Sequence, residues 1–503
     1  MGRGEAIGYI IDRLIAGETD LDQLKREAGR RYGIPRMIKN PDILERFPES
    51  SLTPEIRKLL LKKPSRTMSG ITPVAVMVKP QDSCRFGCVY CPYTGLAAKS
   101  YVGFEPAALR GRQYSFDPYL QASRRIEQFE GGGHPADKCE VIVMGGTFLG
   151  MDRAYKEYFI KGVYEGLNGR RAESLDAAIK ENQTARHRAV GLTVETRPDM
   201  CTPYMGEMLS YGATRVELGV QHADDDIYRL VNRGHTVRDV TDATRNLKEA
   251  AFKVCYHVMP GLPGSDSEKD ISFIRKLFED SAFRPDMLKI YPTLVVPGTT
   301  LHRWEGEGRY KPYSVEEAAE TISEFYRHIP EYVRVMRIQR DIPAGRIGSG
   351  VRKSNLRELV EQRIREKGII PKEIRYREVR QRKDDPGRFS MRRSDYDASG
   401  GKEVFLSFED EDRLVAGFLR LRLPPEKTTA FVRELHVYGS EVPISGEGKV
   451  QHHGLGSRLL KEAEGIARES GRTELTIISG VGVREYYRKH GYSLSGHYMV
   501  SRL

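Results

Sequence analysis

The chain has 503 residues, a formal net charge of +11, 30% charged and 39% hydrophobic residues, and six cysteines. The length suits roughly two to four domains at about 150 residues each, and no apolar run approaches the ~20 residues that span a bilayer. Met1-Gly2-Arg3-Gly4-Glu5-Ala6 lacks a signal-peptide apolar core and the hydroxyl residue at position 6 that myristoylation uses, so no membrane partner is expected.

Residues 334–397 carry 19 Lys and Arg against 10 Asp and Glu, and residues 1–72 carry a smaller basic surplus. Together these exceed the whole-chain charge, leaving the remainder slightly acidic. A surplus confined to two segments points to a polyanion, with RNA favoured, because phosphate contacts are made mainly by Lys and Arg. Solvated helix faces are the plain alternative.

In chain order, residues 1–72 read as a basic helical extension. Ile7 to Leu14 has helical apolar spacing, and Asp20 or Asp22 can cap a helix through Leu24. Its cations Lys25, Arg26, Arg30, Arg31 and Arg36 are the candidate RNA contacts.

Residues 73–295 alternate short Val/Ile/Leu-rich runs with longer helix-like spans. The runs are Pro73–Val78, Glu140–Met144, Ala189–Val194, Arg215–Val220, Lys253–Met259 and Met287–Tyr291. Six strands with helical crossovers predict a parallel sheet in an α/β multidomain chain, with chemistry at the C-terminal strand ends. Polar or Gly-rich residues recur there: Gly145-Gly146 after the second run, Glu195-Thr196-Arg197 after the third, Gln221-His222 after the fourth.

The first such end carries Cys84-Arg85-Phe86-Gly87-Cys88-Val89-Tyr90-Cys91. A C-x3-C-x2-C triplet gives a four-iron cluster three thiolates and leaves one iron free to bind and reduce a small molecule. It resembles the signature of the radical S-adenosylmethionine (SAM) enzymes, and Tyr90 before the last Cys fits. That resemblance implies an open, six-unit partial β/α barrel. A structural zinc site would want four closed ligands, often as two Cys pairs. Cys139, Cys201 and Cys255 are isolated and read as packed thiols. Thiolates of this kind need a reducing compartment, and the cytoplasm is the simplest.

Residues 296–397 read as a connector with a helix near 315–328 and an Arg-rich stretch. From 398 the pattern turns antiparallel: Glu403–Phe408, Leu414–Leu421 and Val432–Tyr438 as strands, Ser457–Ala467 as a helix, Leu475–Ser479 as a strand, Val483–His490 as a short helix, Gly491–Val500 as the last strand. At the long helix's start lies Gln451-His452-His453-Gly454-Leu455-Gly456-Ser457-Arg458. Its glycines admit a pyrophosphate to the backbone, and free N–H groups at a helix start take negative charge. The pattern matches the acyl-CoA signature of the GNAT acetyltransferases. His452 and His453 lack partners at ligand spacing and read as solvent- or CoA-adjacent. Tyr487, then Tyr486, are candidates to protonate a leaving thiolate; packing is the alternative.

A radical SAM domain followed by a GNAT domain resembles the Elongator catalytic-subunit family of tRNA wobble-uridine-modifying enzymes. The resemblance runs nearly end to end, through Arg66–Ile71, the cysteine loop, Met144–Phe148, Val194–Asp199, Glu217–Gln221, Asn232–His235, Lys289–Pro292, Gln339–Pro343, Asn355–Arg357 and the acyl-CoA motif. The loop looks like the archaeal or bacterial form. The resemblance implies a [4Fe-4S] cluster on Cys84, Cys88 and Cys91, with SAM near Gly145, Gly146, Thr147, Glu195, Arg197, Glu217 and Gln221. It implies substrate or acyl binding by Lys289 and acetyl-CoA at Gln451 to Arg458. The tRNA anticodon stem-loop would lie on the basic segments. The implied reaction cleaves SAM to a 5′-deoxyadenosyl radical, which takes hydrogen from the acetyl methyl. Addition to C5 of uridine 34 and hydrolysis of the thioester then give 5-carboxymethyluridine. The rivals are a protein lysine acetyltransferase with a structural cluster, an RNA-binding scaffold, and a methylthiolating enzyme. A homodimer and a self-standing subunit are both open.

Overall fold

The computed structural model describes residues 2–61, 70–81, 84, 86–146, 148–379, 388–438 and 454–503. The N-terminal unit is helical. In Gly2–Ile15 the residues Ala6, Ile7, Ile10, Ile11 and Leu14 recur at helical spacing and are buried. Asp20 caps Leu21–Arg31 by accepting from the Gln23 N–H at 2.9 Å. Helices Asn40–Leu44 and Pro54–Leu60 close a small apolar core with these two.

Seven parallel strands follow in spatial order of sequence: β1 (Thr72–Met77), β2 (Lys138–Met144), β3 (Arg188–Thr196), β4 (Arg215–Gln221), β5 (Lys253–Val258), β6 (Met287–Ile290) and β7 (Arg334–Ile338). Six match the expected runs. The seventh falls inside the expected connector, because Arg334-Val335-Met336-Arg337-Ile338 is short and carries two cations. The sheet ends at β1 and β7 without closing, which makes a partial barrel.

One face of each strand packs under helices: Val74, Val141, Val194, Val216, Val254 and Leu288 are fully buried there. The other face is unusually polar. Strand register aligns Glu195, Glu217 and Cys255 in one row and Gly219, His257, Lys289 and Arg337 in the next.

The second sheet has the order β13-β14-β12-β11-β10-β9-β8. Its strands are β8 (Ser390–Ala398), β9 (Gly401–Glu409), β10 (Val415–Leu423), β11 (Thr429–Val437), β12 (Glu474–Ile477), β13 (Ser493–Ser495) and β14 (Tyr498–Arg502). This sheet takes in β8, also from the expected connector, and the expected last strand is a hairpin. Only the β11–β12 pair is parallel.

This sheet packs under the first at the N-terminal ends of the parallel strands. The buried Arg433 guanidinium donates to both Asp286 oxygens at 2.7 and 2.6 Å, to the Phe252 carbonyl at 2.9 Å and to Glu403 at 2.8 Å. Arg422 donates to the other Glu403 oxygen at 2.9 Å, and Arg420 to the Tyr332 carbonyl at 2.6 Å. Tyr332 stacks on Tyr396 with centroids 3.9 Å apart. A Cβ on Gly480 would lie 2.1 Å from the Val190 carbonyl, so only glycine lets the turn before Val481–Val483 approach β3 this closely.

Candidate functional site

The cysteine loop leaves β1 at the opposite end, the C-terminal end of the parallel strands, and is held from several sides. Lys99 Nζ donates to the Cys84 and Phe86 carbonyls at 3.0 and 2.9 Å, and Asn232 Nδ2 to the Gly87 carbonyl at 3.1 Å. The Arg197 guanidinium lies 4.1 Å from the Phe86 ring centroid and pairs with Asp199 at 2.9 Å. Gly234 has φ +75, and a Cβ there would come within 2.2 Å of the Phe86 ring. Arg233 Nη1 donates to Cys88 Sγ at 3.6 Å. Burial first, then neighbouring Cys88, push the Cys91 thiol up to about 12, and Arg340 opposes them.

Among the described residues, the one set of three His, Cys, Asp or Glu ligand atoms within 4.8 Å of one another is Glu217, Cys255 and His257. The three loop sulfurs are therefore not gathered as around one zinc ion, whose thiolates lie about 3.8 Å apart by tetrahedral geometry. A cluster with one thiolate per iron wants them farther apart, and the neighbouring cations suit its negative charge. The residues fit a four-iron cluster. The Glu217 set suits a cation poorly, because Lys289 Nζ already donates to the same carboxylate.

The loop forms one end of a cavity of about 610 Å³ that follows the polar face of the sheet. Its lining takes in Cys84, Cys88 and Cys91, then Gly146, Glu195, Arg197 and Gln221, then Glu217, His257 and Lys289, and finally Arg215 and Glu140 near the strand starts. From Glu140 to Gly146 along β2 is about 20 Å at ~3.3 Å per residue. Gly145 has φ +138, and a Cβ there would lie 2.5 Å from Val78. Its N–H points to Glu195 at 3.5 Å, and Glu195 also accepts from Tyr101 at 2.6 Å. Gln221 takes φ +71, a left-handed conformation that turns the chain at the end of β4.

Deeper in the cavity Glu217 is fully buried and accepts from His257 Nε2 at 2.7 Å and from Lys289. Burial alone would raise its carboxyl, but Lys289, then His257 and Arg215, hold it well below the usual carboxylate range. Burial opposes the Lys289 charge, and Glu217 outweighs it, holding the ammonium above the usual lysine range. Arg215, His257, Tyr101, Arg233 and Arg340 were not expected from the sequence. The available signal was a charged residue at every second position of an otherwise apolar strand, as in Arg215 and Glu217 on β4.

The acyl-CoA candidates lie in the other unit. Thr147, Gln451, His452 and His453 fall outside the described residues, as does Arg66–Ser69. Gly454, at φ +75, precedes the helix Leu455–Glu469 and thereby sets the free N–H groups of Leu455, Gly456 and Ser457 at its start. A Cβ on Gly456 would lie 2.8 Å from the Tyr486 hydroxyl. Arg458 packs over the Phe408 ring at 4.6 Å. Tyr487 sits in the apolar core at 6% exposure, edge-on to Tyr486, and burial raises both phenols. The ring beside the helix start is thus Tyr486, the sequence's second choice. β11 and β12 pair only over Thr429–Val432 and Glu474–Ile477.

On the N-terminal unit Arg26, Arg30, Arg31 and Arg36 are exposed, with Arg31 stacked 5.1 Å from Tyr9. Lys25 corrects the expectation. It is 8% exposed, donates to Asn40, and burial lowers its pKa. It lies on the same stripe as Leu21, Leu24 and Ala28, so it secures the helix packing instead of facing solvent.

Comparison with known proteins agrees with this geometry. Four family models match: the ELP3 N-terminal domain over residues 4–68, the radical SAM superfamily over 78–277, the radical SAM C-terminal domain over 285–366, and the acetyltransferase (GNAT) family over 373–492. The chain is 45% identical to the tRNA uridine(34) acetyltransferase of Methanocaldococcus jannaschii, over 98% of this chain and 96% of that protein. It is 49% identical to the protein of that name from Dehalococcoides mccartyi, over 88% and 100%. It is 42% identical to human Elongator complex protein 3, over 99% and 96%. A solved structure of the archaeal Methanocaldococcus infernus Elp3, lacking residues 1–46, matches at a TM-score of 0.77 and 44% identity, covering 86% of this chain and all of that one.

Proposed function

The chain belongs to the family of tRNA uridine(34) acetyltransferases and Elongator complex protein 3, and we propose that it converts the wobble uridine 34 of a tRNA anticodon to 5-carboxymethyluridine using acetyl-CoA and SAM. The observation that carries this reading is one cavity with three thiols at one end and a polar interior, built on a radical SAM fold joined to a GNAT fold.

Cys84, Cys88 and Cys91 would hold the cluster, with Lys99, Arg233 and Arg340 balancing its charge. Bound there, the cluster and SAM would supply radical chemistry at this end of the cavity. The Gly145-Gly146 backbone takes the methionine part of SAM, and Glu195, Arg197 and Gln221 rim that site. Lys289, held charged by Glu217, orients a carbonyl in the interior. At the second centre the N–H groups of Leu455, Gly456 and Ser457 take the CoA pyrophosphate, where backbone donors and the helix dipole both favour anions. Tyr486, beside Gly456, hands its proton to the departing thiolate. Arg26, Arg30, Arg31 and Arg36 meet tRNA phosphates, which position the anticodon loop, while base contacts in the cavity select the nucleotide. We assign residues 1–72 to this tRNA-binding role.

The test is anaerobic reconstitution of the full chain with iron, sulfide and dithionite, followed by SAM, acetyl-CoA and tRNA. Mass spectrometry should find 5′-deoxyadenosine and a carboxymethyl group at nucleotide 34. Acetyl-CoA turnover stimulated by a lysine peptide and not by tRNA would overturn the reading in favour of a protein acetyltransferase.

A further inference from the structure

Glu217 hydrogen-bonds through one carboxylate oxygen and meets only a long ion-pair contact, to Arg215, at the other. Oε2 accepts from His257 and Lys289, whereas Oε1 is buried without a hydrogen-bond partner. Arg215, two residues earlier on the same face of β4, is 4% exposed. It pairs through Nη1 with Glu140, while its Nη2 has no partner. Its Nε stands 3.5 Å from Glu217 Oε1, too far for a good hydrogen bond. All of these groups line the cavity. A buried acceptor beside a buried donor, each lacking a partner, is costly in a purely structural ion network. The contacts give the set an order: the Arg215 donor on one side of the Glu217 carboxylate, the Lys289 donor on the other.

We propose that Arg215, Glu217 and Lys289 form a donor–acceptor–donor array that reads the imide edge of the target uracil and rejects cytosine. Uracil offers acceptor, donor, acceptor along O2, N3–H and O4, the complement of this array. Cytosine offers a lone pair at N3, which faces the carboxylate repulsively, and an amino donor where uracil has O4. This deepens the tRNA reading above and rests on it. Register fixes the orientation. Lys289 aligns with His257 and Gly219, two residues nearer the cysteine loop than Glu217, and Arg215 lies two residues farther away. With O4 on Lys289 and O2 on Arg215, the C5 side of the ring turns toward the cluster end, where the radical arises. The splayed base has a route in, because the sheet is open between β1 and β7 and the cavity reaches the exposed Arg337 there. Sites built to bond a specific imide discriminate strongly against analogues that leave their buried polar groups unpaired.

The test uses the wild-type reconstituted chain with anticodon stem-loops carrying uridine, N3-methyluridine or cytidine at position 34. Product at that nucleotide and 5′-deoxyadenosine are both measured. N3-methylation removes the imide donor and leaves C5 intact. Loss of one hydrogen bond to a charged group should cut product about 10- to 100-fold, while 5′-deoxyadenosine still forms. Glu217→Gln can present an amide donor to cytosine N3 while the clash of the cytosine amino group with Lys289 stays, so it should narrow the uridine-to-cytidine ratio about 10-fold. Processing of N3-methyluridine at the uridine rate, or a wild-type ratio in E217Q, overturns the proposal. If E217Q does not fold, the N3-methyl arm decides alone. No product from uridine itself would strike the tRNA reading first, and this one with it.

Discussion

Two of the buried ionic clusters among the described residues differ in what their carboxylates do. In the seam between the sheets, Asp286 takes Arg433 on both oxygens, with the Val254 N–H added on one, and Glu403 divides its oxygens between Arg433 and Arg422. Every carboxylate oxygen there accepts a hydrogen bond, and none of these residues is in the lining of the partial-barrel cavity. In the partial barrel, Glu217 lines the cavity and leaves one buried oxygen without a hydrogen bond. The carboxylates Asp286, Glu403 and Glu217 are equally buried in the two places. An unsatisfied acceptor on a cavity wall separates a group poised for a ligand from one that fastens two units together.

Cys88→Ser gives the largest effect on the cavity cluster and none on the seam. Iron content and 5′-deoxyadenosine should fall to background, with urea unfolding of the metal-free chain unchanged and tRNA affinity within about twofold, because phosphate contacts dominate that affinity. Arg433→Met does the reverse. It strands Asp286 and Glu403 as uncompensated buried charges, at a cost of about 3–5 kcal/mol, and urea unfolding should show that fall. Lys289→Met also breaks a buried pair, but Glu217 can be solvated from the cavity. Its stability cost should be under half that of R433M, while carboxymethyl product drops about 100-fold. Equal stability costs for R433M and K289M would erase the distinction.

The first six parallel strands were legible because Val- and Ile-rich runs recur between helical spans. β7 was not, since Arg334 and Arg337 break its apolar pattern. The cysteine loop and the Gly454–Gly456 cradle were legible because their chemistry is local in sequence. The seam was not: Asp286 and Arg433 stand 147 residues apart, and no local pattern joins them. Lys25 shows the cost of reading charge without phase. It occupies the i+4 position from Leu21, on the apolar stripe of its helix, and that spacing alone placed its stem inside.

At the acyl-CoA centre, Tyr486→Phe should slow acetyl-CoA hydrolysis about 100-fold, within the range for a lost general acid, and leave SAM cleavage intact. Tyr487→Phe should act mainly on stability, because its ring lies in the apolar core. A larger kinetic loss from Y487F would return the proton donor to the sequence's first choice.

The smallest effect separates the exposed and buried cations of the N-terminal helices. Arg30→Glu with Arg31→Glu should weaken tRNA binding and lower the slope of log affinity against log salt by about 1 for each phosphate no longer neutralised. Lys25→Gln should leave that slope within error, because the Lys25 ammonium is spent on Asn40 inside the unit. It should lower the unfolding midpoint instead. A slope that falls with K25Q and holds with the double reversal would put the tRNA backbone on the other face of this helix.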